Sequence, residues 1–245
     1  MWAAYLDEVA PYEVSGELFR VVESQEEIAT THLVENDLEA QAILEEMLDE
    51  NKPDILQEWK AAYHYLLYTP FRYPPLQYGS RFGTLVEPSL FYGSLSSLTA
   101  FTEVAYYRLL FWYDMDEHPA TPMLTQHTLF TVPYSSEAGY RLQDPPFNNE
   151  IKLITHPADY SPTQQLGSLM REHEVELFEY PSARHKGGIN VALFTPNAFA
   201  LLEPDSSHEV ICTTDSDHVT IKDQGEVYRF DLKLFLVEGK LPAPA

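Results

Sequence analysis

FRYPPLQYGSRFGTLVEPSLFYGSLSSLTAFTEVAYYR, residues 71–108, is the stretch on which the interpretation of the whole chain turns. It sets Arg72 and Arg81 among Tyr73, Tyr78 and Tyr92, in a protein with few basic groups, and then carries Glu103 within an apolar helical pattern. Pro74, Pro75 and Gly79 make its first half a shaped loop, because proline restricts its neighbour and glycine frees the backbone. Ser89 to Tyr92 is predicted as a strand, Gly93 as a break, and Ser96 or Ser97 as the cap of a helix reaching about Trp112. Leu98, Phe101, Ala105 and Leu109 form the apolar stripe of that helix, and Glu103 lies off it. A glutamate there faces either a cleft or open solvent.

Working outward, Glu17 to Val22 is expected to be a strand carrying Arg20. Asn36 to Asn51 is an acidic amphipathic helix, with Asn36 or Asp37 as its cap and Leu38, Ala42, Met47 and Leu48 inward. Ile55 to Tyr68 is a second helix, which Pro70 should stop. Strands are predicted over 129–132, 151–154, 175–178 and 189–194, and a helix over Ser161 to Arg171, where Ser-Pro opens the first turn. Val219 to Ile221 and Val227 to Val237 make a terminal hairpin across Asp223-Gln224-Gly225. The pattern implies an α+β fold: a single domain over 1–245 with mixed, mostly antiparallel strands flanked by helices. The helices of 36–68 form an insertion near the N-terminus, and 201–245 is an extension ending in a β-hairpin.

With 44% hydrophobic and 13% aromatic residues, the chain can bury a core. Its net charge of −23 repels phosphate backbones, so direct nucleic-acid binding is not expected. That charge suits a basic protein partner, or a small anion held by a local arginine cluster. Cys212 is the lone cysteine, so neither an internal disulfide nor a thiolate zinc site can form. The histidines show no HExxH or close pairing, and no metal is expected. The first residues do not resemble a secretory signal, and no apolar run is long enough to cross a bilayer. A cytoplasmic, membrane-free setting follows as the expectation.

Arg81 lies in Gly-Ser-Arg-Phe-Gly, where small neighbours let a ligand approach and a guanidinium fork suits a pyrophosphate or carboxylate. A surface arginine paired with one of many acids is the plainer alternative. Tyr92 either stacks on a flat ring or fills a half-buried strand position. Ser182, in Pro-Ser-Ala-Arg, is no nucleophile elbow, so it either orients a ligand hydroxyl or shapes the turn beside Pro181. Gly187-Gly188 belongs to no GxGxxG or Walker pattern, which argues against a doubly wound nucleotide fold. The pairs Tyr63/Tyr65 and Tyr106/Tyr107 are expected in the core or an interface.

Phe19-Arg20-Val21, Gly79-Ser80-Arg81-Phe82, Phe91-Tyr92-Gly93-Ser94 and Thr99-Ala100-Phe101-Thr102-Glu103, in that order, resemble the RES domain family. Pro181-Ser182-Ala183 and Ile189-Asn190-Val191 resemble its later motif, so the likeness covers about 18–200. The resemblance implies an ADP-ribosyltransferase-like fold and the toxin of a bacterial toxin–antitoxin pair that degrades NAD⁺ by phosphorolysis or hydrolysis. By that likeness Arg20 and Arg81 bind the phosphates, Tyr92 packs on the nicotinamide ribosyl portion, Glu103 stabilises the ribosyl cation, and Ser182 helps seat the substrate. NAD⁺, with inorganic phosphate as a possible acceptor, is then the substrate, and an Xre-like antitoxin forming an oligomer with the toxin is the partner. The long stretch between Arg20 and Arg81 leaves Arg72 as the alternative second phosphate ligand. Protein ADP-ribosylation and an idle partner-binding module are the competing functions, with a serine hydrolase further off.

Overall fold

The computed structural model describes residues 1–24, 56–73, 75 and 77–244. The helix expected over 36–51 lies outside those residues, as does Ile55. Helix α1 (Trp2–Glu8) precedes the strand β1 (Tyr12–Glu23), and α2 (Gln57–Ala62) and α3 (Tyr65–Arg72) lead to β2 (Phe91–Ser94). Helix α4 (Ser97–Tyr113) follows, then β3 (Met123–Arg141), α5 (Ile151–Ile154), α6 (Ser161–Glu172), β4 (Leu177–Pro181) and β5 (Ile189–Leu193). Strands β6 (Ser206–Thr214), β7 (His218–Asp223) and β8 (Glu226–Asp231) end the sheet.

The strands form one sheet in the order β1-β2-β5-β4-β3-β6-β7-β8, and β1 also pairs with β3. That extra ladder, running from Tyr12↔Gly139 to Glu23↔His127, closes β1, β2, β5, β4 and β3 into a ring. Among the pairings of named strands only β3–β4 is parallel. The fold is therefore α+β with a mixed, mostly antiparallel sheet, as expected. Pleat alternation sends Val14, Leu18, Phe91, Phe130, Val132, Leu177, Val191 and Leu193 into one buried cluster, joined by Leu67 of α3. The opposite faces of β4 and β5 give Phe178, Tyr180 and Ala192 to a second cluster with Trp2, Phe82, Leu166 and Met170. Helix α4 packs Phe101, Ala105, Tyr106 and Leu109 onto Val210, Cys212, Val219 and Ile221 of β6 and β7.

Several local expectations fail for identifiable reasons. Residues 151–154 form a helical turn following a 3-10 segment, with Thr155 N–H donating to the Ile151 carbonyl. A short apolar run cannot by itself distinguish a buried strand from one helical turn. Pro70 lies inside α3 rather than ahead of its end, because Leu67 is fully buried in the ring core and packing holds the short helix. The helix expected over 55–68 is broken at Tyr63-His64, where His64 Nδ1 accepts the Leu66 N–H and starts α3 afresh. Gly93 is part of β2: a Cβ there would lie 3.0 Å from Leu18 Cδ1 and 3.3 Å from the Phe19 carbonyl oxygen. It permits close strand approach and breaks nothing.

At the C-terminal end, Gln224 and Gly225 adopt φ of 45° and 94°, which suits the tight turn joining β7 to β8. The second strand is shorter than expected, because a 3-10 turn at Leu232–Leu234 ends it. β6 attaches this hairpin to β3, so the extension is part of the main sheet and buries one face of α4.

Candidate active site

Ser96 caps α4 by accepting the Thr99 N–H at 3.2 Å, which sets the helical phase of everything after it. Phe101, Ala105 and Leu109 then turn to the core, while Leu98 is 41% exposed and drops out of the expected stripe. Glu103 points away from that core into a cavity of about 360 Å³ between α4, β1, β2 and the loop around residues 78–81. The volume lies within the usual range for small-molecule sites.

Arg20, Arg81, Tyr92 and Glu103 all line this cavity, together with Tyr78, Tyr107, Tyr160, Tyr180 and Asn190. Arg72 does not line it. The Gly79–Gly83 turn, closed by the Ser80 N–H to the Gly83 carbonyl, carries Arg81 at its tip. Gly79 has φ 74°, and a Cβ there would meet the Gly83 carbonyl at 2.4 Å, so the turn needs glycine on both counts. Arg81 Nη1 donates to the carbonyls of Ile154 (3.1 Å) and His156 (2.9 Å), and its guanidinium lies 4.3 Å from the Tyr160 ring centroid. One nitrogen of the fork thus anchors the α5 end, where helical carbonyls lack partners.

Tyr92 is held by its hydroxyl, which accepts the Phe82 N–H at 3.2 Å and bonds Ser80 Oγ at 2.9 Å. Burial pushes this phenol up to about 12, so it is a neutral ring over the physiological range. Burial also carries Tyr180 well above its ordinary value. Arg20 donates Nη1 to the Tyr92 carbonyl at 2.6 Å and lies 4.4 Å from the Phe91 ring centroid. Its Nε is buried without a partner, and desolvation lowers the group to about 10. The guanidinium remains charged near neutral pH, with an unmet donor.

Ser182 is buried and donates its hydroxyl to Glu103 Oε1 at 2.7 Å, and Asn190 Nδ2 donates to the same oxygen at 2.7 Å. Ser182 Oγ in turn accepts the backbone N–H groups of Arg184 (3.0 Å) and His185 (2.9 Å). Its proton faces a carboxylate and no histidine, an arrangement unlike a serine hydrolase. The structure therefore brings together the five site residues singled out in the sequence. Of the pair expected in the core or an interface, Tyr106 is core and Tyr107 is 48% exposed and lines the cavity. Nothing near Tyr160 or Tyr180 in sequence marks a site, since they reach the cavity from the cap position before α6 and from β4.

Among the described residues no helix is long and apolar enough to cross a membrane. The RES domain matches residues 55–215, well over half of the chain, though this span leaves out Arg20. No curated protein matches. Among solved structures, the chain is similar to one in the crystal structure of the M. tuberculosis MbcT–MbcA toxin–antitoxin complex. Identity is 12% and the TM-score 0.49, over 85% of this chain and 91% of that chain.

Proposed function

This chain belongs to the RES domain family, and from that premise we propose that it is a toxin that cleaves the nicotinamide–ribose bond of NAD⁺. The observation carrying the proposal is a carboxylate, Glu103, facing the same cavity as two guanidiniums and a half-buried, neutral tyrosine. In the reaction the ribose C1–N bond breaks, nicotinamide keeps the electron pair and leaves neutral, and positive charge builds on the sugar. A carboxylate held against that charge lowers the barrier electrostatically, as in glycoside cleavage. Phosphate or water then forms the new bond to C1, with water losing its proton to solvent.

Arg20 and Arg81 would take the pyrophosphate. Both line the cavity, and the position of Arg72 outside its lining favours Arg20 over it. Arg81 would present the rest of its fork while Nη1 stays on the α5 carbonyls. Tyr92 would offer its ring face to the nicotinamide ribosyl portion, since its hydroxyl is tied to the 80–82 turn. Ser182 would act from behind Glu103. An Xre-like antitoxin is the proposed partner, one whose bound segment would cover the cavity mouth and whose basic residues would complement the net charge of −23.

The test is incubation of purified, antitoxin-free protein with NAD⁺, with and without inorganic phosphate, following nicotinamide and its co-product. Phosphorolysis yields ADP-ribose phosphate and hydrolysis yields ADP-ribose. Label appearing on a macromolecule would instead favour protein ADP-ribosylation. Intact NAD⁺ under both conditions would contradict NAD⁺ cleavage and favour the partner-binding module.

A further inference from the structure

The two donors on Glu103 Oε1 are not equivalent in what stands behind them. Asn190 is 4% exposed on β5, and its Oδ1 accepts the hydroxyl of Ser94 on β2 at 2.7 Å. Ser94, 3% exposed, is also the residue paired across the strands with Asn190. The pairing fixes the amide: a carboxylate oxygen only accepts, so Nδ2 must face Glu103, and Oδ1 is left for the Ser94 hydroxyl. Among the described residues no donor is placed on Glu103 Oε2.

We propose that Asn190, oriented by Ser94, is a positioning residue that turns the Oε2 edge of Glu103 toward the reacting sugar. The inference rests on the ribosyl-cleavage reading above. Three features give it content. A glutamate side chain on a helix has several rotatable bonds, and its carboxylate can swing by more than the tolerance of an electrostatic catalyst. Here two converging donors from one hairpin, the loop at Ser182 and β5, engage one oxygen and stop that rotation. Ser182 Oγ cannot swing toward another acceptor without giving up the two backbone N–H groups it accepts, so its contribution is fixed by the loop. Asn190 is held instead by a single replaceable hydroxyl across the β2–β5 ladder. The relay Ser94–Asn190–Glu103 therefore ties the carboxylate to the sheet that also carries Tyr92.

A merely structural role, filling the hydrogen-bond needs of buried groups, predicts lost stability with unchanged turnover per folded molecule. A positioning role predicts a loss confined to the chemical step. The experiment measures nicotinamide release from NAD⁺ by the wild type and the variants N190A, S94A, S94A/N190A and E103Q, with thermal unfolding of each. Removing a hydrogen bond to a charged group is expected to lower kcat about tenfold to a hundredfold for N190A, with KM within about twofold. S94A should show a smaller drop of the same kind. The double variant should be no slower than N190A, because Ser94 acts only through the amide.

A folded N190A with kcat within about twofold of wild type would overturn the proposal, as would multiplicative losses in the double variant. Should N190A fail to fold, S94A carries the test: reduced kcat at constant KM supports the relay, and unchanged kcat refutes it. E103Q separates the two levels. An inactive E103Q beside a fully active N190A removes the relay alone, an E103Q as active as wild type removes Glu103 and the relay behind it, and no nicotinamide release by the wild type removes the ribosyl-cleavage reading itself.

Discussion

The guanidinium of Arg20 lies 4.4 Å from the centroid of the Phe91 ring, with one hydrogen bond to the Tyr92 carbonyl and a buried Nε that meets no acceptor. This is a cation placed where folding gains little from it. Burial lowers its pKa from the ordinary arginine value to about 10, so the unfolded chain holds the proton more tightly. At neutral pH the charge therefore costs stability, on the order of 2 kcal/mol after allowance for solvent screening. The cost fades only as pH rises through about 10 toward the ordinary arginine value.

An anion bound beside Arg20 would relieve that cost. Adding NAD⁺ to the wild type should raise Tm, while Arg20→Met should melt at or above the unliganded wild type and show no rise with NAD⁺. Thermal unfolding with and without NAD⁺ measures both. A full ligand-induced rise in Arg20→Met would remove Arg20 from the phosphate site.

Gly167 on α6 faces the backbone of Phe82, where a Cβ would lie 1.9 Å from the carbonyl oxygen. That carbonyl belongs to the turn carrying Arg81. Gly167→Ala must push the turn off the helix, and we expect a loss of about 2–3 kcal/mol and a Tm lower by several degrees. NAD⁺ turnover per folded molecule should fall as well, because Arg81 moves with its turn. Wild-type melting and turnover in this variant would contradict this packing.

His127, 4% exposed on β3, has Nε2 bonded to Thr125 Oγ1 at 2.9 Å and Nδ1 buried without a partner. Burial lowers its affinity for a proton, with Arg108 adding to the effect and Glu23 opposing it. Because the folded value is depressed, stability is full above the unfolded value of about 6.5 and is lost as pH falls through the folded one. His127→Leu should flatten this part of the acid limb in denaturant titrations across pH. An unchanged slope would place the acid sensitivity elsewhere.

The Ser182 hydroxyl spends its proton on Glu103 and its lone pairs on two backbone N–H groups. A serine-directed covalent probe should leave the folded protein unlabelled, and mass spectrometry would show it. Stoichiometric labelling at Ser182 would revive the hydrolase alternative.

Much of this site could be read in the sequence because its cues are local. The Ser96 cap and the period of Phe101, Ala105 and Leu109 fix the phase of α4, and so the direction of Glu103. Gln224-Gly225 announces the β7–β8 turn in the same way. What was hidden depends on contacts distant in sequence. The ring closes through the β1–β3 ladder, whose partners lie about a hundred residues apart and include Pro133 opposite Glu17, a residue type that usually argues against a paired strand. Tyr160 and Tyr180 enter the cavity only after α6 and β4 dock. Tyr107 and its neighbour Tyr106 look alike in sequence, and only the packing of α4 on β7 makes one core and the other wall. Gly93 illustrates a further limit: the sequence suggests a break there, whereas the residue lies inside β2 and its cause, close approach of Leu18 on the facing strand, is a contact distant in sequence.

The central claim is that Glu103 stabilises positive charge on a ribose as nicotinamide departs. Its most direct test is the nicotinamide released from NAD⁺ by wild type and Glu103→Gln under identical conditions, with binding followed separately. The account predicts release by the wild type and a kcat at least a hundredfold lower in Glu103→Gln, about 3 kcal/mol of transition-state stabilisation, with NAD⁺ affinity nearly unchanged. Equal release by the two proteins, or none by folded, antitoxin-free wild type, would contradict it.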